Sequence, residues 1–272
     1  MGRVIQTLPL RQPVLGVTSL DNRLYVLRGN KSSQQVEVYD IDSYCLLRCL
    51  TVPGLGIRED IVACGHNRCA YISDRSHDSV HRVSLSKAKV TQWPVNDKSL
   101  CLSVTYTHSV LVSCPAAGKI KEFSTDGQLL HVLTLPQDVV SPSHTIQLSS
   151  GQFIVCHGDR PDQFHCVRLT DSDGKVVRSY GGPKGSSSKQ MNVPVHIAVD
   201  RSEFAFVVDV NNCRVLLLSP QLTYVREVVS HEQCQGRPVR VHVDADRGRL
   251  YVADNNSKAD KYTAGRVVVF SV

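Results

Sequence analysis

The sequence predicts an all-β fold, a six-bladed β-propeller. Three observations carry that prediction: a short-strand unit written six times, a period of ~40 to 50 residues, and an N-terminal strand that supplies what the last unit lacks. The unit is clearest from Pro194 to Ser219, PVHIAVDRSEFAFVVDVNNCRVLLLS, and again in PVRVHVDADRGRLYVADNN followed by GRVVVFS. Both run through an apolar strand, a polar turn, a second strand ending in Asp, an Asn-rich turn and a third strand. Several short strands per unit at this period mark a propeller blade rather than a sandwich or a βαβ unit.

Second strands set the register: Leu24-Tyr25-Val26, Ala70-Tyr71-Ile72, Val110-Leu111-Val112, Phe153-Ile154-Val155, Ala205-Phe206-Val207-Val208 and Leu250-Tyr251-Val252. Third strands follow in step, beginning with Val36-Glu37-Val38-Tyr39 and ending with Val267-Val268-Val269-Phe270. Several of them alternate apolar and polar residues, as a half-buried antiparallel strand requires. Fourth strands follow the first five third strands, as in Leu129 to Pro136 and Tyr224 to Val229. The sixth unit stops at Val272, whereas Arg3 to Pro9 reads like Leu130 to Pro136 and precedes the first inner strand at Val14. The N-terminal strand is therefore expected to pair with the C-terminal three and close the ring, leaving no unpaired inter-blade interface. One domain, 1–272, is expected, with blades at roughly 14–52, 59–95, 100–136, 143–181, 193–230 and 237–272 plus 3–10.

A chain of 272 residues with 42% hydrophobic residues is long enough to bury a sizeable core. No apolar run approaches the ~18 residues that would span a bilayer, Met1 to Leu10 lacks the apolar stretch of a signal peptide, and Gln6 stands where myristoylation wants Ser or Thr. Ten cysteines without a secretory signal imply a reducing compartment, so a cytoplasmic location and buried thiols are expected. Cys45 and Cys49 on one strand would stand about 13 Å apart, too far for a disulfide, whereas Cys64 and Cys69 flank a turn and could meet. No paired Cys-x-x-Cys or Cys and His set is spaced for zinc.

A net charge of +6 favours acidic partners without specifying nucleic acid. In a propeller the connections from fourth to first strand and from second to third emerge on one face, with the channel entrance. Candidate contacts on that face are Arg11, Arg28, Arg58, Arg75, Lys98, Lys119, His157, Arg160, Lys184, His196, Arg240 and Tyr262. Acidic residues of the same loops, among them Glu59, Asp60, Asp78, Asp97, Asp138, Asp159 and Asp162, nearly cancel the basic ones.

From Pro194 to Val215 the order is Pro, two spacers, Ile-Ala-Val-Asp, a hydrophobic pair, Val-x-Asp and Asn-x-Arg-Val. This resembles the NHL repeat, the blade of six-bladed propellers at the C-termini of TRIM-type ubiquitin ligases. The match is specific in blades five and six, where Asp209, Asn212 and Arg214, then Asp254, Asn256 and Arg266, hold the pattern positions; Asn212-Cys213-Arg214 replaces the name-giving Asn-His-Leu. The residues themselves have a structural reading: Asp209 ends one strand, Arg214 starts the next, and Asn211-Asn212 turns between them. In blade four the longer His157-Gly158-Asp159-Arg160-Pro161-Asp162 loop replaces this motif and is the better candidate for a contact.

The resemblance implies a non-catalytic interaction platform: a protein partner bound through the channel-side loop face, as in the substrate-recognition part of a ubiquitin ligase, or single-stranded RNA. RNA binding would interleave basic residues with stacking aromatics, but aromatic content is 6% and most Tyr and Phe lie inside strands, with Tyr262 the main exception. A protein partner is therefore expected ahead of RNA, with neither DNA nor membrane as a ligand. A metal-dependent lyase or hydrolase is the enzyme alternative. His144, His196 and His242 lie on first strands of consecutive blades, but their offsets differ: His196 aligns with Arg240 and His242 with Ala198, so that side chains one pleat apart would sit at different depths or point to different faces. No Gly-x-Ser-x-Gly nucleophile motif occurs, so no enzyme activity and no cofactor are expected. A third reading is an architectural subunit, in which the Gly- and Ser-rich segment Gly181 to Gln190 is a flexible, solvated loop that could clamp a partner.

Overall fold

The computed structural model describes residues 2–29, 35–87, 89–98, 101–258 and 261–272, without the side chains of 58, 257, 258 and 261–263. They form six four-stranded antiparallel sheets, and in five of these the strand order follows the chain. The sixth sheet places Arg3–Leu10 outside Lys261–Ser271, Arg249–Lys258 and Arg237–Asp244. Pairing runs from Arg3↔Ser271 to Leu10↔Gly265, so the N-terminal strand closes the ring as its sequence suggests.

Burial explains the order of strands within a blade. Second strands carry apolar side chains on both faces because each lies between two neighbouring blades; Cys69–Asp74, Val110–Cys114 and Phe153–His157 are buried throughout. Fourth strands form the outer rim and read polar or exposed, as in Leu46–Thr51 and Leu129–Thr134. The core is thus a set of layers between blades. One layer packs Tyr71, Val80 and Trp93 of blade two against Val110, Val112 and Phe123 of blade three. Another packs Ile154 and Val167 of blade four against Ile197, Val207 and Leu216 of blade five. Each fully buried aliphatic or aromatic side chain contributes about 1.5–3 kcal/mol.

All ten cysteines are free thiols. Cys64 and Cys69 pair across their turn without a disulfide, and Cys45 and Cys49 are exposed rather than buried. The segment expected to be a flexible loop is held in place. Residues to Pro183 belong to the strand Val176–Pro183, and Arg214 donates to the carbonyls of Ser186 (3.1 Å), Ser187 (3.1 Å) and Gln190 (2.8 Å). Asn212 donates to Gly185 O at 2.9 Å, and the Tyr180 hydroxyl to Ser188 O. A Gly/Ser composition sets no structure by itself, but one buried guanidinium satisfies three of its carbonyls.

Candidate functional site

The innermost strands line the channel, and one position on or just before each defines a ring: Gly16, Asp60, Cys101, His144, His196 and Arg240, each immediately before an apolar or Thr residue. Register shifts fall just before this position between Val14 and Gly16, Arg58 and Ile61, Pro194 and His196, and Pro238 and Arg240. A bulge there bends the strand and re-aims the next side chain. Pro194 and Pro238 stand two residues ahead of His196 and Arg240, where a missing N–H is compatible with the bulge, and Pro142 holds the same place ahead of His144.

Ring side chains reach into neighbouring blades rather than into open channel. The Asp60 carboxylate accepts from its own neighbour Ile61 N at 2.9 Å and from Leu102 N of blade three at 3.0 Å. His144 of blade four accepts from Ile197 N of blade five at 3.1 Å through Nδ1 and meets Leu102 O at 3.2 Å through Nε2. His196 accepts from Val241 N of blade six at 3.5 Å through Nδ1, and its Nε2 lies 3.5 Å from Asp60. Arg240 donates to Glu59 O at 2.9 Å, and its Nε lies 3.4 Å from the Asp60 carboxylate. That span from blade six to blade two crosses blade one, where the ring residue is Gly16. A Cβ there would stand 2.7 Å from Ile61 Cγ2 and 2.8 Å from Ile61 N.

Electrostatics follow from this geometry. Burial pushes the Asp60 carboxyl up, but the His196 bond and the His196 and Arg240 charges outweigh it and bring it to about 2. Burial lowers both imidazoles; His144 falls well below its ordinary value and His196 below its own, with Asp60 opposing the shift at His196. Burial raises the Cys101 thiol, which stays protonated. At neutral pH the ring therefore holds one carboxylate, one guanidinium and two neutral imidazoles stacked 3.9 Å apart.

Asp60, His144 and His196 offer ligand atoms within 4.8 Å of one another, a donor set chemically suited to zinc. The arrangement does not fit a metal. The N–H of Ile197 occupies the Nδ1 lone pair of His144, so the proton sits on Nε2, facing the Leu102 carbonyl. The N–H of Val241 likewise leaves the His196 proton on Nε2, toward Asp60. Arg240 already supplies the positive charge beside the carboxylate.

The predicted residues divide. Arg11, Lys98, Lys119, Arg160 and Lys184 are exposed at the loop face, and Arg75 there pairs with Glu59 at 3.2 Å. Arg28 is buried and bonds Glu37 at 2.8 Å, which also accepts from the Tyr39 hydroxyl at 2.7 Å. His157 is fully buried, and burial followed by Arg168 lowers it to about 4. His196 and Arg240 belong to the ring; the side chains of Arg58 and Tyr262 lie outside the described residues. Sequence reasoning placed Asp60 among loop acids, whereas it is a strand residue 2% exposed. Its signal was the alignment of Asp60-Ile61 with His196-Ile197 and Arg240-Val241, obscured because blade two lacks the preceding proline.

No protein-family model matches the chain, and no curated protein sequence does. Solved structures do. A virginiamycin B lyase from Staphylococcus aureus shares 11% identity with a TM-score of 0.66 over 91% of this chain and 80% of that one. A streptogramin B lyase matches with 11% identity and a TM-score of 0.66 over 96% and 84% of the two chains. The hydrazine synthase of Kuenenia stuttgartiensis matches with 13% identity and a TM-score of 0.66 over 97% and 96%. At these identities the likeness is one of fold, and the chain is similar to these proteins as a six-bladed β-propeller.

Proposed function

We propose that the chain is a non-catalytic interaction platform that binds a protein partner through the face bearing the fourth-to-first and second-to-third connections. One observation carries this reading: the polar layer of the channel is spent on bracing blades, while the loop face presents Phe164, 52% exposed, at the end of the Arg160 loop. Val140 and Ile57, 38% and 49% exposed, lie in connections on the same face. An exposed aromatic residue beside Arg is the composition enriched at protein-binding interfaces. The NHL-like reading rests on the Asp209–Arg214 and Asp254–Arg266 pairs, each closing a hairpin at 2.8 Å. Substrate recognition within a ubiquitin ligase is the finer form of the proposal.

The test is affinity capture with the isolated chain, comparing wild type with Phe164→Ala, a triple charge reversal at Arg75, Arg160 and Lys184, and a control reversal at Arg201 on the opposite face. Partners kept by wild type and the control but lost from both loop-face variants support the reading. Equal recovery by all four overturns it. RNA captured with a steep salt dependence would favour the nucleic-acid alternative instead.

A further inference from the structure

On the side of the ring toward the turns between first and second strands, the channel opens into a cup. The His144–His196 stack forms its floor, and Val17, Ile61, Val62, Ile146, Val199 and Val243 contribute its walls around about 260 Å³. Most polar groups at its surface are already engaged. Ser103 Oγ donates to Thr145 O at 2.6 Å, Thr18 Oγ1 accepts from Ala63 N at 3.2 Å, and both His144 nitrogens bond backbone groups.

His242, in the same wall, differs. The Ser19 N–H points at its Nε2 from 3.1 Å, so that nitrogen carries the lone pair and the proton resides on Nδ1. Burial lowers this imidazole to about 4, which keeps it neutral near pH 7. Its Nδ1–H meets no acceptor among the described residues, and the ring lines the cup. The cup thus combines apolar walls, no exposed charge of its own and one free donor. Concave apolar surface of this size favours an apolar occupant over water, and a single fixed donor orients it.

We propose that the cup binds a small, neutral, largely apolar molecule carrying one hydrogen-bond acceptor, with its body against the aliphatic walls and its acceptor on His242 Nδ1. The site lies on the opposite face from the proposed protein-binding surface and does not depend on it.

The experiment is ligand-observed NMR on the full chain with three probes: acetophenone, propylbenzene and benzoate. Acetophenone is expected to bind saturably, and benzoate at least about tenfold more weakly, because its charge would be buried without a cation. His242→Phe is expected to weaken acetophenone about tenfold and leave propylbenzene unchanged, the loss of one hydrogen bond. Val199→Phe, which fills the cup, is expected to abolish both, with its melting curve confirming a folded chain. Should that variant not fold, backbone shift mapping on wild type decides: shifts confined to Val62, Ile146, Val199 and Val243 support the site, and shifts elsewhere overturn it. Acetophenone binding undiminished in folded Val199→Phe, benzoate binding as tightly, or no saturable binding by any probe also overturns it.

Discussion

Blades four and five handle the same hairpin in opposite ways. In blade five Asp209 pairs with Arg214 across the second and third strands; in blade four His157 pairs with Cys166 at that place. The Asp209 carboxylate accepts from Arg214 Nε (2.8 Å), Asn212 (2.8 Å) and Asn192 N (2.7 Å), while the same guanidinium fastens the loop from blade four. In blade four neither His157 nitrogen has a hydrogen-bond partner among the described residues, and the longer loop is organised instead by His165. That imidazole meets Arg160 O at 2.8 Å and accepts from Val193 N at 2.7 Å. Where the ion pair is present, it fastens the neighbouring loop; where it is absent, the connection is longer and presents Phe164. Recognition is therefore expected in the blade without the clasp.

The largest effect should come from breaking the clasp. Asp209→Ala leaves buried Arg214 with only the more distant Glu227 carboxylate, 4.0 Å away, and removal of one member of such a buried pair costs about 3–5 kcal/mol. Urea unfolding should show a loss of that size, and limited proteolysis should open the segment 184–190. The equivalent change in blade four, His157→Leu, should be neutral or slightly stabilising, because a polar group without partners is replaced by an apolar one. Equal losses in the two variants would contradict the comparison.

Acid should separate the two regions next. His157 titrates near 6.5 when unfolded and is lowered to about 4 in the fold, by burial first and then Arg168. A base with a depressed folded value contributes stability above about pH 6.5 that is lost as pH falls toward 4, on the order of 3 kcal/mol for this one group. His242, lowered to about 4, adds to the same window. The urea midpoint of wild type should fall across it, and the slope should be smaller in His157→Leu. An unchanged slope would mean that His157 does not stay neutral in the fold.

How much of this was legible in the sequence depends on the range of the interaction. Strand alternation and the six second strands are local patterns, so the blades could be read directly, and the likeness of Arg3–Pro9 to a fourth strand announced ring closure. The Asp209–Arg214 hairpin was readable for the same reason. The ring was not: His144 bonds the backbones of Leu102 and Ile197, in the two flanking blades, and no local spacing encodes that. Asp60 lacked the proline that marks its counterparts. The segment Gly181 to Gln190 looked mobile by composition because its anchor, Arg214, lies beyond it on the next blade.

A backbone change in blade four should have a smaller effect than either of these. Gly158 sits at φ +91, and a Cβ there would stand 2.0 Å from Phe164 O, so Gly158→Ala must move the start of the third strand. A loss of about 1–3 kcal/mol is expected, with the blade-five segment still protected from protease. Loss of protection at 184–190 in this variant would show that the two hairpins are one cooperative unit rather than two independent ones.

Phe164→Ala should have the smallest effect on folding and the most informative one on binding. An exposed side chain away from caps, cavities and buried pairs contributes within about 0.5 kcal/mol, so the unfolding midpoint should hardly move. If the exposed aromatic is there for a partner, affinity falls by tenfold or more while stability stays constant. If it is part of the fold, stability falls and binding does not change separately. Each outcome moves one measurement and leaves the other unchanged, and Phe164 follows directly from the loop that stands in place of the clasp.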